Sequence, residues 1–285
     1  MLLRVENLSY TYMKGTPFEK KALDNVSLEI DKGDFVGIIG HTGCGKSTLV
    51  QHFNGLLKPE SGSIYIDDQC VNKSNIKTLR KAVGFVFQYP EHQLFEASVY
   101  KDIAFGLKNE KLTKEEEYKR VVEAANAVGL DLSLLDNSIY DLSGGQKRRV
   151  AIAGVLVMKP SILVLDEPAA GLDPIGRDEI LGFVQKLRDE YGITIILVSH
   201  SMDDVARYTN KVIVMNDGRI EMIGSPGKVF TNGDRLREIG LDVPQVATLF
   251  ARLAEKFPQY GINREIFTPE DAKSALMELI GGGKK

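Results

Sequence analysis

One glycine-rich segment, residues 40–47 (GHTGCGKS), constrains the fold of this chain more than any other feature. It follows an apolar run, residues 35–39, and opens onto a helix-like run, residues 48–57. A strand, a glycine-rich loop and a helix in this order form a cradle for phosphate, because backbone N–H groups and the positive end of the helix face the same anion. Lys46 would reach the terminal phosphates, and Ser47 would ligate Mg²⁺. The segment therefore predicts an α/β fold that binds a nucleoside triphosphate together with magnesium.

The predicted nucleotide ligands are the residues of this loop and the first helical residue after it. The thiol inside the loop leaves two interpretations open: a reactive group whose alkylation would block nucleotide binding, or an unreactive group that fills space. The full set is Gly40, His41, Thr42, Gly43, Cys44, Gly45, Lys46, Ser47 and Thr48.

The remaining patterns around the loop predict the layers of a larger α/β domain. Nearly continuous apolar runs at 162–165 and 193–198 are typical of parallel strands covered on both faces. Residues 1–39 alternate polar and apolar side chains, which predicts a small antiparallel β layer. Between 89 and 160 the pattern turns helical. We therefore expect an α/β fold with a P-loop (RecA-like) core at residues 1–225, an antiparallel β subdomain and a helical subdomain inserted at about 89–160.

The character of the chain changes after residue 225, where we expect a small helical C-terminal domain, residues 226–285. The segment Asp242-Val243-Pro244 is predicted to cap one helix, and Thr268 is predicted to start another. An apolar stripe on the first helix is either core or a surface that pairs with a partner, and we expect this domain to serve dimerisation. The stripe consists of Val246, Leu249, Phe250, Leu253 and Phe257.

Polar side chains suited to hydrolysis of the γ-phosphoanhydride bond of a nucleoside triphosphate follow two of the predicted core strands. Asp166 and Glu167 come directly after the run 162–165, at the edge of the sheet where open α/β folds bind ligands. Asp166 would hold the Mg²⁺ that Ser47 also ligates, and Glu167 would orient and deprotonate the attacking water. His200 follows the next strand and would donate to the γ-phosphate.

A glutamine is expected at the same edge of the sheet. Gln88 is predicted to end a strand at 83–88, where its amide would contact both the metal and the attacking water. With Glu167 and His200 it completes the predicted catalytic set. Taken singly, a carboxylate pair or a histidine after a strand is more often structural, and the phosphate loop upstream gives these residues their interpretation.

Composition excludes several classes of function. The net charge is −3, which gives no support for nucleic acid as a partner. Cys44 and Cys70 are the only cysteines, too few for a disulfide framework, so we expect a reducing compartment. The chain shows no leader segment and no apolar run of the roughly 18 to 20 residues needed to cross a bilayer. We therefore expect a cytoplasmic protein that reaches a membrane only through its partners.

A second phosphate-compatible segment, residues 142–146 (LSGGQ), precedes a helix. Together with the loop at 40–47, Gln88, the strand and carboxylates at 162–167, Gly171-Leu172-Asp173 and His200, it makes the chain resemble an ABC-transporter ATPase over about residues 1–225. The resemblance implies a head-to-tail dimer with ATP between the phosphate loop of one subunit and the LSGGQ helix of the other.

The resemblance also assigns roles to individual residues. Ser143, Gly144, Gly145 and Gln146 would bind the nucleotide of the partner subunit. Asp173 would communicate across the dimer, and Gln88 would couple to a membrane partner. Tyr12, at the end of a predicted strand, would stack on adenine; on spacing alone it is equally compatible with a half-buried strand tyrosine.

A narrower resemblance is carried by three segments: Gly15-Thr16-Pro17-Phe18-Glu19, residues 87–95 (FQYPEHQLF) and residues 241–245 (LDVPQ). They are similar to the ATPases of energy-coupling factor (ECF) vitamin importers. The Thr-Pro-Phe-Glu insertion points to the second of two ATPase paralogues, the A-prime type. This resemblance implies a heterodimer with a second ECF ATPase, placed peripherally on the cytoplasmic face of the cell membrane. The pair would drive uptake of vitamins or related micronutrients.

The expected membrane partners are a transmembrane T subunit and substrate-binding S subunits. The T subunit would contact the segment from Gln88 to Glu96 through arginine-bearing helices, with Glu91 and Glu96 as candidate acceptors. The alternative for both glutamates is a solvated position on a helix.

Three other functions remain as alternatives. The first is the ATPase of a conventional binding-protein-dependent importer, and the second is a soluble ABC ATPase acting on DNA or ribosomes. The third is a subunit that binds ATP without hydrolysing it, which the presence of Lys46, Asp166, Glu167 and His200 disfavours. The identity of the transported compound does not follow from the sequence.

Overall fold

The computed structural model describes residues 1–72, 75–263 and 265–281. The described residues form ten strands in two sheets. The strands are β1 Leu3–Tyr12, β2 Lys20–Ile30, β3 Phe35–Ile39, β4 Ser61–Ile66, β5 Gln69–Cys70, β6 Val83–Val86, β7 Ile162–Asp166, β8 Thr194–Val198, β9 Lys211–Asn216 and β10 Arg219–Gly224.

Eleven α-helices surround these sheets in the described part of the chain. None of them combines the length and the apolar composition needed to cross a membrane. The helices are α1 Lys46–Phe53, α2 Ile76–Ala82, α3 Val99–Ala104, α4 Lys114–Ala127, α5 Gly144–Leu156, α6 Pro174–Tyr191, α7 Met202–Tyr208, α8 Pro226–Phe230, α9 Gly233–Glu238, α10 Gln245–Lys256 and α11 Pro269–Gly281.

The larger sheet contains the phosphate-loop strand at its centre. Its strand order is β10-β9-β3-β8-β7-β6, and all neighbours are parallel except the β9–β10 pair. Every residue of the five-residue strands β3, β7 and β8 is buried, as expected for parallel strands covered on both faces. Because the strands are parallel, the carboxyl ends of β3, β6, β7 and β8 meet at one edge of the sheet.

The smaller sheet is the antiparallel layer that the alternating pattern predicted. Its order is β2-β1-β4-β5. Along β2, Val26, Leu28 and Ile30 are buried while the residues between them are exposed, so one face packs and the other meets solvent. The buried face joins Leu49 and Phe53 of α1 in one apolar cluster. The predicted α/β core with an antiparallel β layer is therefore confirmed.

Helices α3 to α5 pack on the opposite face of the larger sheet. Val99, Val121 and Ile152 belong to the same apolar cluster as Leu163 and Leu197 of the sheet. Helices α4 and α5 each begin with a capping box, in which the N-cap hydroxyl and the side chain three residues later bond reciprocally to backbone N–H groups.

Helix α3 is shorter than its sequence pattern indicates. The pattern predicts one helix over 99–107, whereas the structure divides this stretch into α3, which ends at Ala104, and a single 3₁₀ turn, Phe105–Leu107. Gly106 in this turn lies so close to α5 that a Cβ atom there would stand 2.7 Å from the carbonyl oxygen of Gly154. The tight crossing of the two segments accounts for the change of helix type.

The C-terminal helices are joined closely to the ATPase core. Val229, Phe230 and Leu236 share an apolar cluster with Met202 and Val205 of α7. A second, smaller cluster is centred on Phe250 of α10 with Ile266 and Ala272. The division at residue 225 stays a prediction, since α8 and α9 pack on the core and α10 and α11 also pack on each other.

Two polar contacts reinforce this junction at α7. The N-cap residue of α10, Pro244, lies in the predicted capping segment 242–244, but its side chain makes no capping hydrogen bond. The N–H of Gln245 instead donates to Asp203 of α7 at 2.9 Å. Arg207 of α7 pairs with Glu270 of α11 at 3.0 Å. The apolar stripe on α10 is divided: Phe250 is fully buried, whereas Leu249 is 48% exposed.

Candidate nucleotide-binding and hydrolysis site

The phosphate loop joins β3 to α1 as predicted, and its shape requires glycine at two positions. Gly45 has φ +106°, and a Cβ atom there would lie 2.5 Å from the carbonyl oxygen of Ala22. At Gly40 a Cβ atom would lie 2.5 Å from both Cys44 Sγ and the carbonyl oxygen of Met215. The Gly218 N–H donates to the Cys44 carbonyl at 2.9 Å and closes the loop from the β9–β10 turn. The loop is thus fixed by strands on both sides of it.

Lys46 lies inside this loop with only 6% of its surface exposed. Its ammonium donates to the carbonyl oxygens of Gly40 at 2.7 Å and His41 at 3.1 Å. These bonds hold a buried positive charge at the N-terminus of α1, where the helix dipole also favours an anion. The arrangement is suited to phosphate, because the carbonyl oxygens provide only partial negative charge to the buried ammonium and a phosphate provides a full one.

Ser47 and Asp166 lie together, although they are 119 positions apart in the chain. Burial raises the pKa of Asp166, and a hydrogen bond from Ser47 opposes the rise. A hydroxyl and a buried carboxylate beside a phosphate loop provide hard oxygen donors of the kind that Mg²⁺ takes, in small number, together with phosphate oxygens and water. The two residues therefore fit the predicted ion.

Glu167 is held by contacts to both of its carboxylate oxygens. His200 Nε2 lies 2.6 Å from Oε1, and the Gln88 side-chain amide donates to Oε2 at 3.2 Å. The backbone of Glu167 has φ +52°, a left-handed conformation that is costly for a residue with a side chain. Its N–H donates to the carbonyl of Val198 at 3.0 Å, which stabilises that turn. The three predicted catalytic side chains therefore meet at the carboxyl ends of β6, β7 and β8.

Gln88 reaches this position from beyond its strand. The prediction that it ends the strand at 83–88 is wrong, since β6 stops at Val86. Tyr89 has φ +55°, so the chain bends sharply directly after Gln88. This bend lies near the start of the segment 88–96, which contains a short 3₁₀ helix, Pro90–Gln93.

A cavity of about 270 Å³ lies between the phosphate loop and the antiparallel sheet. Tyr12 is 36% exposed there, and its hydroxyl lies 3.2 Å from Thr48 Oγ1. Sequence reasoning did not identify Lys20 or Ala22 as lining residues. The β1–β2 register pairs Tyr12 with Lys20, so that register would have identified Lys20. Stacking of Tyr12 on a base stays a prediction. The lining residues are Tyr12, Lys20, Ala22, Gly43, Gly45, Lys46, Ser47 and Thr48.

Four residues of the predicted loop set do not line this cavity: Gly40, His41, Thr42 and Cys44. His41 Nε2 lies 3.4 Å from the carboxylate of Asp217, and His41 Nδ1 lies 3.1 Å from the Thr42 carbonyl oxygen. The predicted contact of these four residues with nucleotide stays a prediction.

The segment 142–146 is not part of this cavity. Ser143 caps α5, where its hydroxyl accepts from the Gln146 N–H, and the Gln146 side chain bonds back to the Ser143 N–H. A Cβ atom added at Gly144 or Gly145 would meet no described atom within 4 Å. The start of α5 therefore presents open backbone at the surface. Asp173 has a comparable capping role, accepting from the Gly176 N–H at 2.7 Å at the start of α6.

Glu91 is not a free acceptor. Both of its carboxylate oxygens accept from Arg148 of α5, at 2.8 and 3.0 Å. Sequence reasoning missed Arg148, and no local signal points to it, because its partner lies 57 positions away. Glu96 is half-buried and uses its backbone N–H in a bond to Asp102, with its carboxylate not engaged in any ion pair among the described residues.

Cys44 should resist alkylation in the folded protein, whereas Cys70 should react. Cys44 is 1% exposed and burial raises the pKa of its thiol, so the thiolate fraction near neutral pH is small; Cys70 is exposed. Brief treatment with N-ethylmaleimide followed by mass spectrometry of peptides would show labelling at Cys70 alone, with both labelled after denaturation. Equal labelling rates for the two thiols, with protection of Cys44 by ATP, would instead establish the reactive-thiol interpretation.

Comparison with known proteins agrees with this geometry. Residues 23–170 match the family model described as ABC transporter. The energy-coupling factor transporter ATP-binding protein EcfA2 of Acetivibrio thermocellus is 59% identical over 280 residues, covering 98% of this chain and 99% of that protein. EcfA2 of Clostridium tetani is 55% identical over 283 residues, covering 98% of each chain.

Two solved structures extend the comparison. CbiO1 from Clostridium perfringens, part of the ABC transporter complex CbiONQ, matches with TM-score 0.75 and 42% identity over 91% of this chain and 97% of that chain. A dimeric ATP-binding cassette, MJ0796, in a post-hydrolysis state with ADP and Pi, matches with TM-score 0.69 and 30% identity over 79% of this chain and 99% of that chain. The predicted resemblance is confirmed, and the chain belongs to the ABC transporter family, among its energy-coupling factor ATP-binding proteins.

Proposed function

We propose that this chain is the A-prime ATPase of an ECF importer, and that it drives uptake of a vitamin or related micronutrient from the cytoplasmic face of the membrane. The observation that carries the catalytic part is the placement of Glu167 between His200 and Gln88, beside the phosphate loop. The curated relatives, which span nearly the whole chain, carry the transporter part.

In the proposed reaction Glu167 accepts a proton from the water that attacks the γ-phosphate of ATP. His200 and the Gln88 amide restrict its carboxylate to one orientation, so that less entropy is lost when the water binds. Lys46 contributes positive charge to the terminal phosphates. Mg²⁺, held by Ser47 and Asp166, would neutralise charge on the phosphate oxygens when bound.

We place the second half of each ATP site on a partner ATPase. The open backbone at Gly144 and Gly145, together with the N-terminus of α5, provides a surface on which a phosphate of the partner's nucleotide can lie. This face does not line the cavity beside the chain's own phosphate loop, which supports a head-to-tail arrangement. Exposed apolar side chains on the C-terminal helices, among them Leu249 at 48% and Met277 at 65%, support a further dimer contact there.

The segment 88–96 is the proposed contact for the transmembrane T subunit, and S subunits would choose the transported compound. Phe95 is 58% exposed and packs edge-to-face on Phe105, which is 44% exposed. Glu96, which forms no ion pair in the described part of the chain, follows directly after Phe95. Two exposed aromatic rings beside such a carboxylate suit a partner helix that carries both apolar and basic residues. Since Glu91 is already paired with Arg148, we keep Glu96 alone as the acidic acceptor.

Purification from detergent-solubilised native membranes tests this function. The tagged chain should co-purify with a second ATPase, one T subunit and small S subunits, whose identities would nominate substrates. Recovery of two conventional permease subunits would favour a binding-protein-dependent importer, and ribosomal or DNA-associated proteins would favour a soluble ABC ATPase. Either result would overturn the ECF assignment without affecting the ATPase chemistry.

Substitution of Glu96 tests the membrane contact. Glu96→Arg should lower recovery of the T subunit by about tenfold, because a basic partner would then face a like charge. Glu190→Arg, an exposed acid at the end of α6, makes the same charge change away from the segment and should leave recovery unchanged. Full recovery with Glu96→Arg would remove Glu96 from the interface.

A further inference from the structure

Arg148 is a buried charge that the reaction described above does not use. Only 2% of its surface is exposed. Its guanidinium forms a two-point pair with Glu91, with Nη2 donating to Oε1 at 2.8 Å and Nε donating to Oε2 at 3.0 Å. Glu91 lies in the segment 88–96, three residues after Gln88. The pair therefore attaches α5 to the segment that is proposed to meet the T subunit.

The same guanidinium also binds the loop that follows Glu167. Its Nη1 donates to the carbonyl oxygens of Pro168 at 2.9 Å and Ala170 at 3.3 Å, and Nη2 also lies 3.3 Å from the latter. A guanidinium is planar and rigid, so these bonds and those to Glu91 have a fixed relative geometry. Glu91 and the backbone directly after Glu167 are therefore connected through one rigid group.

We propose that Arg148 is a positioning residue that transmits movement of the segment 88–96 to the catalytic glutamate. The inference rests on the proposed contact between this segment and a membrane subunit. The link through Arg148 is a second connection between this segment and Glu167, in addition to the direct hydrogen bond from Gln88 to Glu167. Because Arg148 lies on α5, the LSGGQ residues at the start of that helix move with the same link. This chain's contributions to its own ATP site and to the ATP site of its partner therefore respond together.

If Arg148 only stabilised the fold, replacing its ion pair with apolar side chains would have little effect, because a buried ion pair can often be replaced in this way without loss of stability. The double variant Glu91→Leu/Arg148→Met removes both charges and leaves neither unpaired. It should keep the thermal midpoint and the KM for ATP close to those of the wild type. Arg148→Lys keeps the charge but lacks the planar fork that holds Glu91 and both carbonyl groups together.

The chain offers a matched control in the helical region. Arg120 pairs with Glu110 and also donates to a backbone carbonyl, that of Val157, so it makes the same kinds of bond as Arg148. These bonds contact neither the segment 88–96 nor the loop after Glu167. The double variant Glu110→Leu/Arg120→Met should therefore reproduce any effect of lost pairing on stability without an effect on coupling.

The experiment measures ATP hydrolysis by the ATPase pair alone and in the assembled transporter, together with KM and thermal midpoint. In the wild type we expect the membrane subunits to stimulate hydrolysis. Glu91→Leu/Arg148→Met and Arg148→Lys should lower the stimulated kcat by roughly ten- to a hundredfold, as expected for a misplaced catalytic group, with KM changed less than about twofold. The control pair should keep full stimulation.

Undiminished stimulation in both Arg148 variants would overturn the inference. A parallel fall of kcat, ATP affinity and thermal midpoint, equal to that of the control pair, would also overturn it by showing a structural role. If the membrane subunits do not stimulate hydrolysis by the wild-type ATPase pair, the result counts against the proposed function itself. The wild-type measurement shows this before any variant is made.

Discussion

Glutamine in place of Glu167 should lower the rate of ATP hydrolysis by about 10²- to 10⁴-fold while ATP binding is retained. Glutamine has nearly the same size and keeps an oxygen for the contact with His200, but it does not accept a proton from water. The residues that line the nucleotide cavity are unchanged. Phosphate release under single-turnover conditions and equilibrium binding of a fluorescent ATP analogue would measure the two effects separately.

His200→Ala is the companion variant for this test. It removes the contact 2.6 Å from Glu167 Oε1 but leaves the carboxylate in place, so hydrolysis should fall while some general-base activity remains. Loss of binding in Glu167→Gln, or a hydrolysis rate equal to that of the wild type, would contradict the role of Glu167 as the base.

Replacing Lys46 with methionine should lower the affinity for ATP by about 10²-fold or more. The change removes the charge that faces the terminal phosphates, and it leaves the carbonyl groups of Gly40 and His41 pointing into the loop without their donor. Both effects disfavour an anion. Binding should therefore be lost along with hydrolysis, unlike the expected result for Glu167→Gln.

Lys32→Met removes the same charge from an exposed turn between β2 and β3 and serves as the control. Its ATP affinity should equal that of the wild type. Circular dichroism would verify that Lys46→Met is folded. A folded Lys46→Met protein that binds ATP normally would show that the phosphates lie elsewhere.

The sequence was sufficient to predict most of the hydrolysis site because its parts obey local rules. The loop at 40–47 has its own backbone requirements, and Asp166, Glu167 and His200 each follow a strand whose apolar run is visible in the sequence. Parallel strands then bring these ends to a common edge. The resulting expectation, that Glu167 and His200 lie close together, agrees with their 2.6 Å contact.

The features that were missed depend on contacts between distant parts of the chain. The pair of Glu91 with Arg148, and the capping of α10 by Asp203 from 42 positions away, follow from how helices pack rather than from any motif. Likewise, Gly106 shortens α3 through its approach to Gly154. Local propensity contains no information about such neighbours, so the sequence pattern placed the end of α3 at Leu107 instead of Ala104.

Synthesis of the chain delivers the phosphate loop long before the strands that give it shape. The loop strand β3 lies within the first 40 residues, whereas its neighbours β8 and β9 begin at residues 194 and 211, and Gly218 closes the loop. The strands of the antiparallel layer are all present by Cys70, so this layer can pair its own strands before the rest of the larger sheet is made. We therefore expect the cradle for ATP to take its final shape only after residue 218 has emerged, when the catalytic residues have also been made.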